Sequence, residues 1–437
     1  MKLLFVHNYL GEFGGAESNI HLAATELIGR GHALALLYIQ GTGRDEQNWG
    51  ANFTKHFCLG GWGNLPLVRL ALEEFKPDLI YLHNMPDLDV IGALLDSAVP
   101  VVRMVHDHSI YCMRTYKYNY FTRRICTRPL SLYCVFPCMA SVGRSPNSGL
   151  RWVSYRAKQR ELLLNRRCAR LMVYSDYLRH ELVANGFPVE KIECCAPIRR
   201  LDDKVRIGSC GNQNLILFAG QVIRGKGVDV LLECLAKVKS DFRCIILGDG
   251  NHRAHCERLR AKLRLDGQVQ FYGYVPPGKL EEFYLQASVF VMSSLWPEPF
   301  GMAGPEAMRY GLPVVAFDAG GIKEWLKDGE NGYLVPWKNT DLFAARLDAL
   351  LRDNELRCKL GRWALETVKR YDSRWQVDYL ECVFRSVLRE AQSLGRLRTV
   401  EMQDSPVSPH EKGLTAPLPG KSQGHSGEPA YRRSLKP

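Results

Sequence analysis

Two carboxylates, Glu298 and Glu306, lie eight positions apart in the segment 295–306, Leu-Trp-Pro-Glu-Pro-Phe-Gly-Met-Ala-Gly-Pro-Glu. The spacing alone is not diagnostic, because a long chain contains such pairs by chance. The context is more specific. Prolines on either side of Glu298 oppose helix formation, Gly301 permits close approach of the backbone to a ligand, and Pro305 suits the first turn of a helix. The segment therefore predicts a ligand-binding loop that leads into a helix.

The start of that helix has the chemistry of an anion site. We expect the backbone N–H groups of Gly301, Met302 and Ala303 to face a cleft, where the helix dipole favours a nucleotide's diphosphate. Glu306 is then placed to accept hydrogen bonds from both ribose hydroxyls, and Glu298 to reach an attached sugar. The alternative is that Glu306 caps the helix and Glu298 faces solvent.

Apolar strands alternating with helices must position this segment. Strands are predicted at 3–6, 34–39, 79–82, 101–105, 171–175, 192–195, 215–219, 243–247, 269–272, 289–292 and 314–317. Helices are predicted at about 15–30, 228–238, 252–263, 305–310 and 373–390. This alternation indicates an α/β protein of two Rossmann-like, doubly wound halves that face each other across a cleft.

The same pattern gives the domain boundaries. We expect an N-terminal domain at 1–200, with an insertion at about 108–150, and a linker at 201–214. A second domain at 215–372 precedes a helix at 373–393, which is a candidate to cross back to the first domain. The tail 394–437 is rich in Pro, Gly, Ser and basic residues, which is typical of disorder.

The net charge of +12 is concentrated in one part of the chain. Between Arg103 and Arg170 there are fourteen Lys and Arg residues and two acidic residues, Asp107 and Glu161, so this basic segment carries the whole surplus. Such a segment favours an anionic membrane surface, a lipid diphosphate, an acidic glycan or nucleic acid as a partner; a solvated surface is the alternative.

The sequence shows no apolar run long enough to span a bilayer and no signal-peptide core, so we expect a cytoplasmic protein, peripheral on the inner face of the membrane if the basic segment binds lipid. Reduced thiols are therefore expected for most of the fourteen cysteines. Four cysteines of the basic segment could instead form a structural zinc site: Cys112, Cys126, Cys134 and Cys138.

Segment 295–306 resembles the signature of family 4 retaining glycosyltransferases (glycosyl transferases group 1), which have a two-domain GT-B fold. Gly14-Gly15-Ala16-Glu17 resembles the amino-terminal glycine loop of that family. Leu217 to Gln221, continued through Lys226-Gly227, resembles the strand and basic loop that open its donor domain. Further motifs follow in the family's order over about residues 1–390: 246–250, 272–275, 311–315, 320–321 and 331–335.

The resemblance implies roles for individual residues. Lys226 would neutralise the donor diphosphate and stabilise the charge that develops on it, opposite the Glu298–Glu306 segment across the cleft. His106 would touch the donor sugar. The glycines 14, 15 and 220 would let the backbone approach the donor. The family usually has arginine where this chain has Gln221, so either donor affinity is lower or Arg224 supplies the charge.

The implied activity is transfer of a sugar from a UDP-, GDP- or ADP-type nucleotide sugar to a glycan or lipid-linked acceptor, in cell-surface polysaccharide or lipopolysaccharide biosynthesis. The family retains anomeric configuration and requires no metal or cofactor, and nucleic acid is not an expected partner. Two alternatives are a non-catalytic GT-B protein that binds sugar nucleotide or membrane, and another GT-B enzyme such as a phosphorylase or nucleotide-sugar epimerase.

Overall fold

The computed structural model describes residues 1–12, 14–119, 121–145, 149–196 and 214–403. The chain forms two compact units, Met1–Ala391 and Gln392–Pro437. The second unit is described only to Gln403, the last residue of the helix Ser373–Gln403. That helix extends past residue 394, at which the sequence predicts a disordered tail. The rest of the predicted tail, and the linker except for Asn214, lie outside the described residues.

Among the residues that the structure describes, eleven strands belong to the N-terminal half: β1 Lys2–Val6, β2 Tyr9–Leu10, β3 Ala33–Tyr38, β4 Gln40–Gly41, β5 Lys55–Cys58, β6 Leu79–Leu82, β7 Val101–Val105, β8 Val142–Ser145, β9 Gly149–Trp152, β10 Arg170–Val173 and β11 Ile192–Cys194. Seven of them form a parallel sheet in the order β11-β10-β7-β6-β1-β3-β5. The two short pairs β2–β4 and β8–β9 lie outside it. The strand order reverses at β1, which lies between β3 and β6.

A six-stranded parallel sheet forms the C-terminal half from β12 Leu215–Ala219, β13 Arg243–Leu247, β14 Val269–Gly273, β15 Val289–Met292, β16 Val314–Phe317 and β17 Gly332–Val335. Its order is β14-β13-β12-β15-β16-β17, so the order reverses between β12 and β15. The central strands β12, β15 and β16 are almost wholly buried, as expected for parallel strands covered on both faces. The carboxyl ends of β12 and β15 therefore meet at the usual ligand crevice of such sheets.

In the described part of the chain, thirteen helices surround the sheets: α1 Gly15–Gly29, α2 Glu46–Gly50, α3 Leu65–Phe75, α4 Leu88–Leu95, α5 Tyr155–Arg166, α6 Asp176–Ala184, α7 Val228–Leu235, α8 Arg253–Lys262, α9 Leu280–Gln286, α10 Ala303–Met308, α11 Thr340–Arg352, α12 Asn354–Val368 and α13 Ser373–Gln403. Side-chain caps fix several starts: Asp87 for α4, Ser154 for α5 and Ser175 for α6. Among the helices described, none is both long and apolar enough to cross a membrane.

Helix α13 packs against the N-terminal half, although it follows the C-terminal sheet in sequence. Phe384 lies edge-on to Tyr81 of β6, with ring centroids 5.1 Å apart. Arg30, which follows α1, pairs with Asp378 and Glu381. These contacts join α13, which follows the C-terminal sheet in sequence, to the N-terminal half. The two halves are therefore connected by side-chain contacts as well as by the linker.

The basic segment carries less free charge than its composition indicates. Where the structure describes this segment, six of its cations form ion pairs with acidic residues: Lys117–Glu181, Arg123–Asp229, Lys158–Glu161, Arg160–Asp89, Arg167–Asp96 and Arg170–Glu390. Lys117 is 2% exposed. Part of the positive charge therefore holds the segment to the rest of the protein instead of facing solvent.

Candidate functional site

The loop that carries Glu298 joins β15 to α10. Gly301 has φ +84°, a conformation that L side chains rarely adopt, and a Cβ there would lie 3.0 Å from the Met292 side chain. Helix α10 begins at Ala303, two residues before the predicted start, because the Glu306 amide already donates to the Met302 carbonyl. The residues expected to cradle an anion therefore lie at the first turn of the helix, as the sequence indicates.

Glu298 is a buried carboxylate surrounded by hydrogen-bond donors. Its Oε1 atom accepts hydrogen bonds from Lys226 Nζ at 2.7 Å, from Trp296 Nε1 at 2.9 Å and from the Ser294 hydroxyl. Burial raises the pKa of Glu298, but the Lys226 charge and these hydrogen bonds outweigh it and leave the pKa below its ordinary value. The alternative that Glu298 faces solvent is thus wrong, since only 4% of the residue is exposed.

Lys226 contacts Glu298 directly, which corrects the expectation that the two lie opposite each other across the cleft. It ends a short 3-10 turn, Arg224–Lys226, after β12, and Gly227 follows with φ +67°. A Cβ at Gly227 would lie 2.1 Å from the Ser293 carbonyl oxygen, so only glycine allows this close approach. The Lys226 ammonium also lies 5.1 Å from the centre of the Trp296 ring, a cation–π contact.

This pairing predicts a pH-dependent contribution to stability. Because the folded-state pKa of Glu298 is lowered, its stabilising effect is present above the unfolded value of 4.5 and is lost as the pH falls through the folded value. We expect the melting-temperature gap between the wild type and Glu298→Gln to be largest near neutral pH and to narrow from about pH 5 downward. Thermal unfolding of both proteins over this range measures it; a gap that stays constant with pH would contradict the pairing.

Two side chains of the N-terminal half hold the same loop by its backbone. His108 Nε2 donates to the Pro297 carbonyl at 3.0 Å, and the Ser175 hydroxyl donates to the Pro299 carbonyl at 2.5 Å. Burial lowers the pKa of His108 to about 4, so the ring is neutral at physiological pH. Sequence reasoning did not identify either residue; the one signal was the position of His108 two residues after His106.

His106 lies beside Glu298 in one cavity, but both of its ring nitrogens already have partners. Nε2 is 2.9 Å from His83 Nδ1, and Nδ1 is 2.7 Å from the Tyr174 hydroxyl. Burial, followed by the neighbouring His7 and Arg103 charges, holds the pKa of His106 well below its ordinary range. A hydrogen bond from the His106 ring to a donor sugar would therefore require one of these two contacts to break. Van der Waals contact between the ring and the sugar would leave both contacts intact.

The predicted donor residues line two neighbouring cavities. One, of about 230 Å³, is lined by residues that include Gly15, His106, Lys226, Glu298, Gly301, Met302 and Ala303. The other, of about 320 Å³, is lined by residues that include Gly14, Gly15, Arg44, Tyr274, Glu306 and Arg309. Gly15 borders both cavities. Most of the predicted site residues therefore lie close together in the fold, although they come from both halves of the chain. They line two adjoining cavities instead of one.

Glu306 belongs to an aromatic cavity wall. The Tyr284 hydroxyl donates to its Oε2 atom at 3.4 Å, and Tyr284 stacks on Tyr310 with ring centroids 5.0 Å apart. Aromatic faces next to a carboxylate suit a nucleoside, whose base stacks and whose ribose donates hydrogen bonds. Sequence reasoning named Glu306 but not the two tyrosines.

Two predicted donor residues lie outside both cavities. Gln221 is exposed and lines neither of them. Gly220 borders Gly248, where a Cβ would lie 1.9 Å from the Gly220 carbonyl oxygen. Arg224, the candidate substitute for the missing arginine, lines a third cavity together with Trp296. The structure therefore does not place Gln221 beside Lys226 and Glu298.

Among the described residues, the possible metal ligands do not include the Asp-x-Asp motif of the chain or the four cysteines considered for zinc. The chain contains one Asp-x-Asp, Asp87-Leu88-Asp89, but Asp87 caps α4 and Asp89 pairs with Arg160. Within the described residues, the one group of three or more His, Cys, Asp or Glu side chains with ligand atoms within 4.8 Å of one another is Asp229, His252 and His255. The four cysteines proposed for zinc do not form such a group.

Comparisons with known proteins agree on one family. The family model described as Glycosyltransferase Family 4 matches residues 13–196, and the model Glycosyl transferases group 1 matches residues 200–366. An uncharacterized glycosyltransferase of Methanocaldococcus jannaschii is 35% identical over 149 residues, which are 34% of this chain and 38% of the relative. A lipopolysaccharide core biosynthesis glycosyltransferase of Rhizobium meliloti is 30% identical over 166 residues, 38% of this chain and 48% of the relative. The matched part of the chain thus spans less than half the length of these two relatives.

A likeness to solved structures extends over most of the chain. Anabaena HepE, solved in complex with UDP and glucose, matches with a TM-score of 0.68 over 88% of this chain and 100% of that one. Its sequence identity is 19%, so this likeness concerns the fold.

Proposed function

Because the chain belongs to the group 1 glycosyl transferases of glycosyltransferase family 4 and has their GT-B fold, we propose that it transfers a sugar from a nucleotide-sugar donor to a glycan or lipid-linked acceptor. The observation that carries this proposal is the ion pair between Lys226 and Glu298, which lies in the cavity beside the first turn of α10. Glu306 lines the neighbouring cavity. A cation and helix amides suit a diphosphate, and the neighbouring aromatic cavity suits a nucleoside.

The division of the site into two cavities supports a definite donor orientation. In this proposal the nucleoside occupies the cavity of Glu306, Tyr284 and Tyr310, and the sugar occupies the cavity of Glu298 and His106. The diphosphate then lies between them, at Gly15 and the first turn of α10. HepE was solved with UDP and glucose, which makes a UDP sugar the first donor to test.

The protonation states favour a transferase mechanism without an acid–base pair of glutamates. A glycosidase needs one carboxylic acid that is protonated, whereas the lowered pKa of Glu298 keeps this carboxylate ionised. We propose that Lys226 stabilises the charge that develops on the leaving diphosphate and that this phosphate takes the acceptor's proton. Attack on the same face of the sugar then retains the anomeric configuration, and α10 and Lys226 supply the electrostatic stabilisation without a metal.

The proposed acceptor is a cell-surface glycan or its lipid-linked precursor. The Rhizobium relative is named for lipopolysaccharide core biosynthesis, which supports a cell-surface glycan or its lipid-linked precursor as acceptor. The positive charge of the basic segment would then attract an anionic membrane surface at the cytoplasmic side. Co-sedimentation with vesicles that contain or lack anionic lipid tests this attraction.

A donor screen by thermal shift tests the proposed activity. We expect one of the UDP, GDP, ADP and dTDP sugars to raise the melting temperature, because a ligand at a hundredfold excess over its Kd stabilises the folded state by about 2.7 kcal/mol. Glu306→Ala is expected to bind the donor about 10–100-fold more weakly, so the same concentration should stabilise that variant by only about 0.4–1.4 kcal/mol. Stabilisation without transfer to any acceptor would favour a binding protein, and release of sugar phosphate on addition of phosphate would favour a phosphorylase. No shift with any donor would contradict the proposal.

A further inference from the structure

A third cavity, of about 610 Å³, is lined in part by Trp296 of the loop that carries Glu298. One wall comes from the basic segment and includes Tyr116 and Arg123. The other wall comes from the C-terminal half and includes Asp229, His252 and His255. Tyr116 lies against Trp296 with ring centroids 5.0 Å apart. The cavity therefore contacts the donor loop but is not part of either proposed donor cavity.

Three side chains in this cavity have the chemistry and spacing of metal ligands. Asp229 lies in the first turn of α7, His252 precedes α8, and His255 lies in the first turn of α8. Their ligand atoms all lie within 4.8 Å of one another. The two imidazole rings stack at a centroid distance of 4.6 Å, as side chains three positions apart at a helix start can do.

One nitrogen in the group has no hydrogen-bond partner. His252 Nε2 is buried and makes no hydrogen bond among the described residues, and it lies 3.6 Å from Asp229 Oδ2. That separation is too long for a good hydrogen bond. It is close to the distance of about 3.4 Å between two ligands of one tetrahedral ion, given metal–ligand bonds of about 2.0–2.1 Å. A shared cation would satisfy both atoms.

We propose that Asp229, His252 and His255 bind a divalent cation of the zinc type, with the fourth coordination position open to the cavity. Three protein ligands with one open position are typical of accessible zinc sites. The site goes beyond the proposed transferase activity and does not depend on it. It is also distinct from the four cysteines that the sequence suggests.

Arg123 determines which cations the site accepts. Its guanidinium holds both oxygens of Asp229, at 2.6 and 2.9 Å, and largely neutralises that carboxylate. The two imidazoles then supply most of the affinity, which selects Zn²⁺, Ni²⁺ or Cu²⁺ over the oxygen-seeking Mg²⁺ and Ca²⁺.

Bound metal would join α7 to α8 next to the proposed catalytic lysine. Asp229 lies three residues after Lys226, and Trp296 covers Gly225 so closely that a Cβ there would be 3.1 Å from the indole ring. The metal would therefore fix the same short stretch of backbone that positions the Lys226 ammonium. This predicts a higher melting temperature with zinc than with chelator.

Isothermal titration of the full chain with Zn²⁺, after removal of metal by chelator, tests the site. We expect one zinc ion per chain, no comparable binding of Mg²⁺, and a Co²⁺ spectrum without thiolate charge-transfer bands. His255→Gln should weaken zinc binding at least about tenfold, since even outer-shell changes cost that much. The matched control His180→Gln replaces an exposed histidine on α6 and should leave binding unchanged.

Two further variants distinguish this site from other causes of zinc binding. Arg123→Gln should tighten zinc binding several-fold, because Asp229 regains its full negative charge. The double variant Cys134→Ser/Cys138→Ser should bind zinc as the wild type does. Zinc binding that survives His255→Gln but is lost in the cysteine variant would overturn the proposal, as would equal binding of Mg²⁺.

Discussion

Replacing Lys226 by alanine is expected to lower kcat by about 10²–10³-fold, the usual cost of removing one preorganised group that stabilises developing charge. Lys226 is fixed on three sides: its ammonium contacts Glu298 and the Trp296 ring, and its carbonyl accepts from the Ser293 hydroxyl. A charge held in place before reaction costs no reorganisation when the glycosidic bond breaks. Steady-state kinetics at saturating donor measures the effect, and KM for the donor should change less than kcat.

The control is Lys237→Ala, which removes a lysine whose partners, Thr340 and Asp341, lie at the surface. It should leave kcat unchanged. Because Lys226→Ala leaves Glu298 buried without its cation, its thermal unfolding must also be measured, and Lys226→Gln, which still donates a hydrogen bond, serves as a second variant. Full turnover in a folded Lys226→Ala protein would show that the lysine does not stabilise the leaving diphosphate.

Replacing Glu306 by alanine is expected to raise the Kd for the donor nucleotide about 10–100-fold, with much less effect on kcat at saturating donor. Hydrogen bonds to a charged group contribute about 1.5–3 kcal/mol, and that contribution applies to the bound substrate and the transition state alike. Calorimetry with the nucleotide diphosphate alone measures the loss without requiring an acceptor.

Glu282→Ala provides the comparison for Glu306, because Glu282 is an exposed carboxylate on α9 near the same cavity wall. Its removal should leave the nucleotide Kd within about twofold, as is usual for exposed charges. If Glu306→Ala binds the nucleotide as tightly as Glu282→Ala does, the nucleoside does not occupy the aromatic cavity, and the proposed donor orientation is wrong.

Much of the fold was predictable because its central strands are short apolar runs. The four strands β12, β13, β15 and β16 lie where the sequence predicts them, since burial on both faces requires continuous hydrophobic residues. Strand β5 escaped detection because it is a sheet edge whose residues Lys55, His56 and Cys58 are exposed. The sequence also does not predict the antiparallel pair β8–β9, which lies in the basic segment.

The sequence predicts most residues of the candidate site, but it does not predict which of them contact one another. Lys226 and Glu298 are 72 positions apart, and they meet because β12 and β15 are neighbours in the sheet. A sequence specifies strands more directly than the order in which they pair. The occupied nitrogens of His106 were unpredictable for the same reason, since His83 and Tyr174 come from other strand ends.

Two prolines of the loop that carries Glu298 accept hydrogen bonds from the N-terminal half of the chain, although their side chains have no polar group. The acceptors for His108 and Ser175 are the carbonyl oxygens of Pro297 and Pro299, and every residue type has such an oxygen. A change at His108 or Ser175 thus cannot be compensated by a new side chain at position 297 or 299. Methods that infer contacts from paired substitutions in a family would have no signal at this junction, although it flanks the buried carboxylate on both sides.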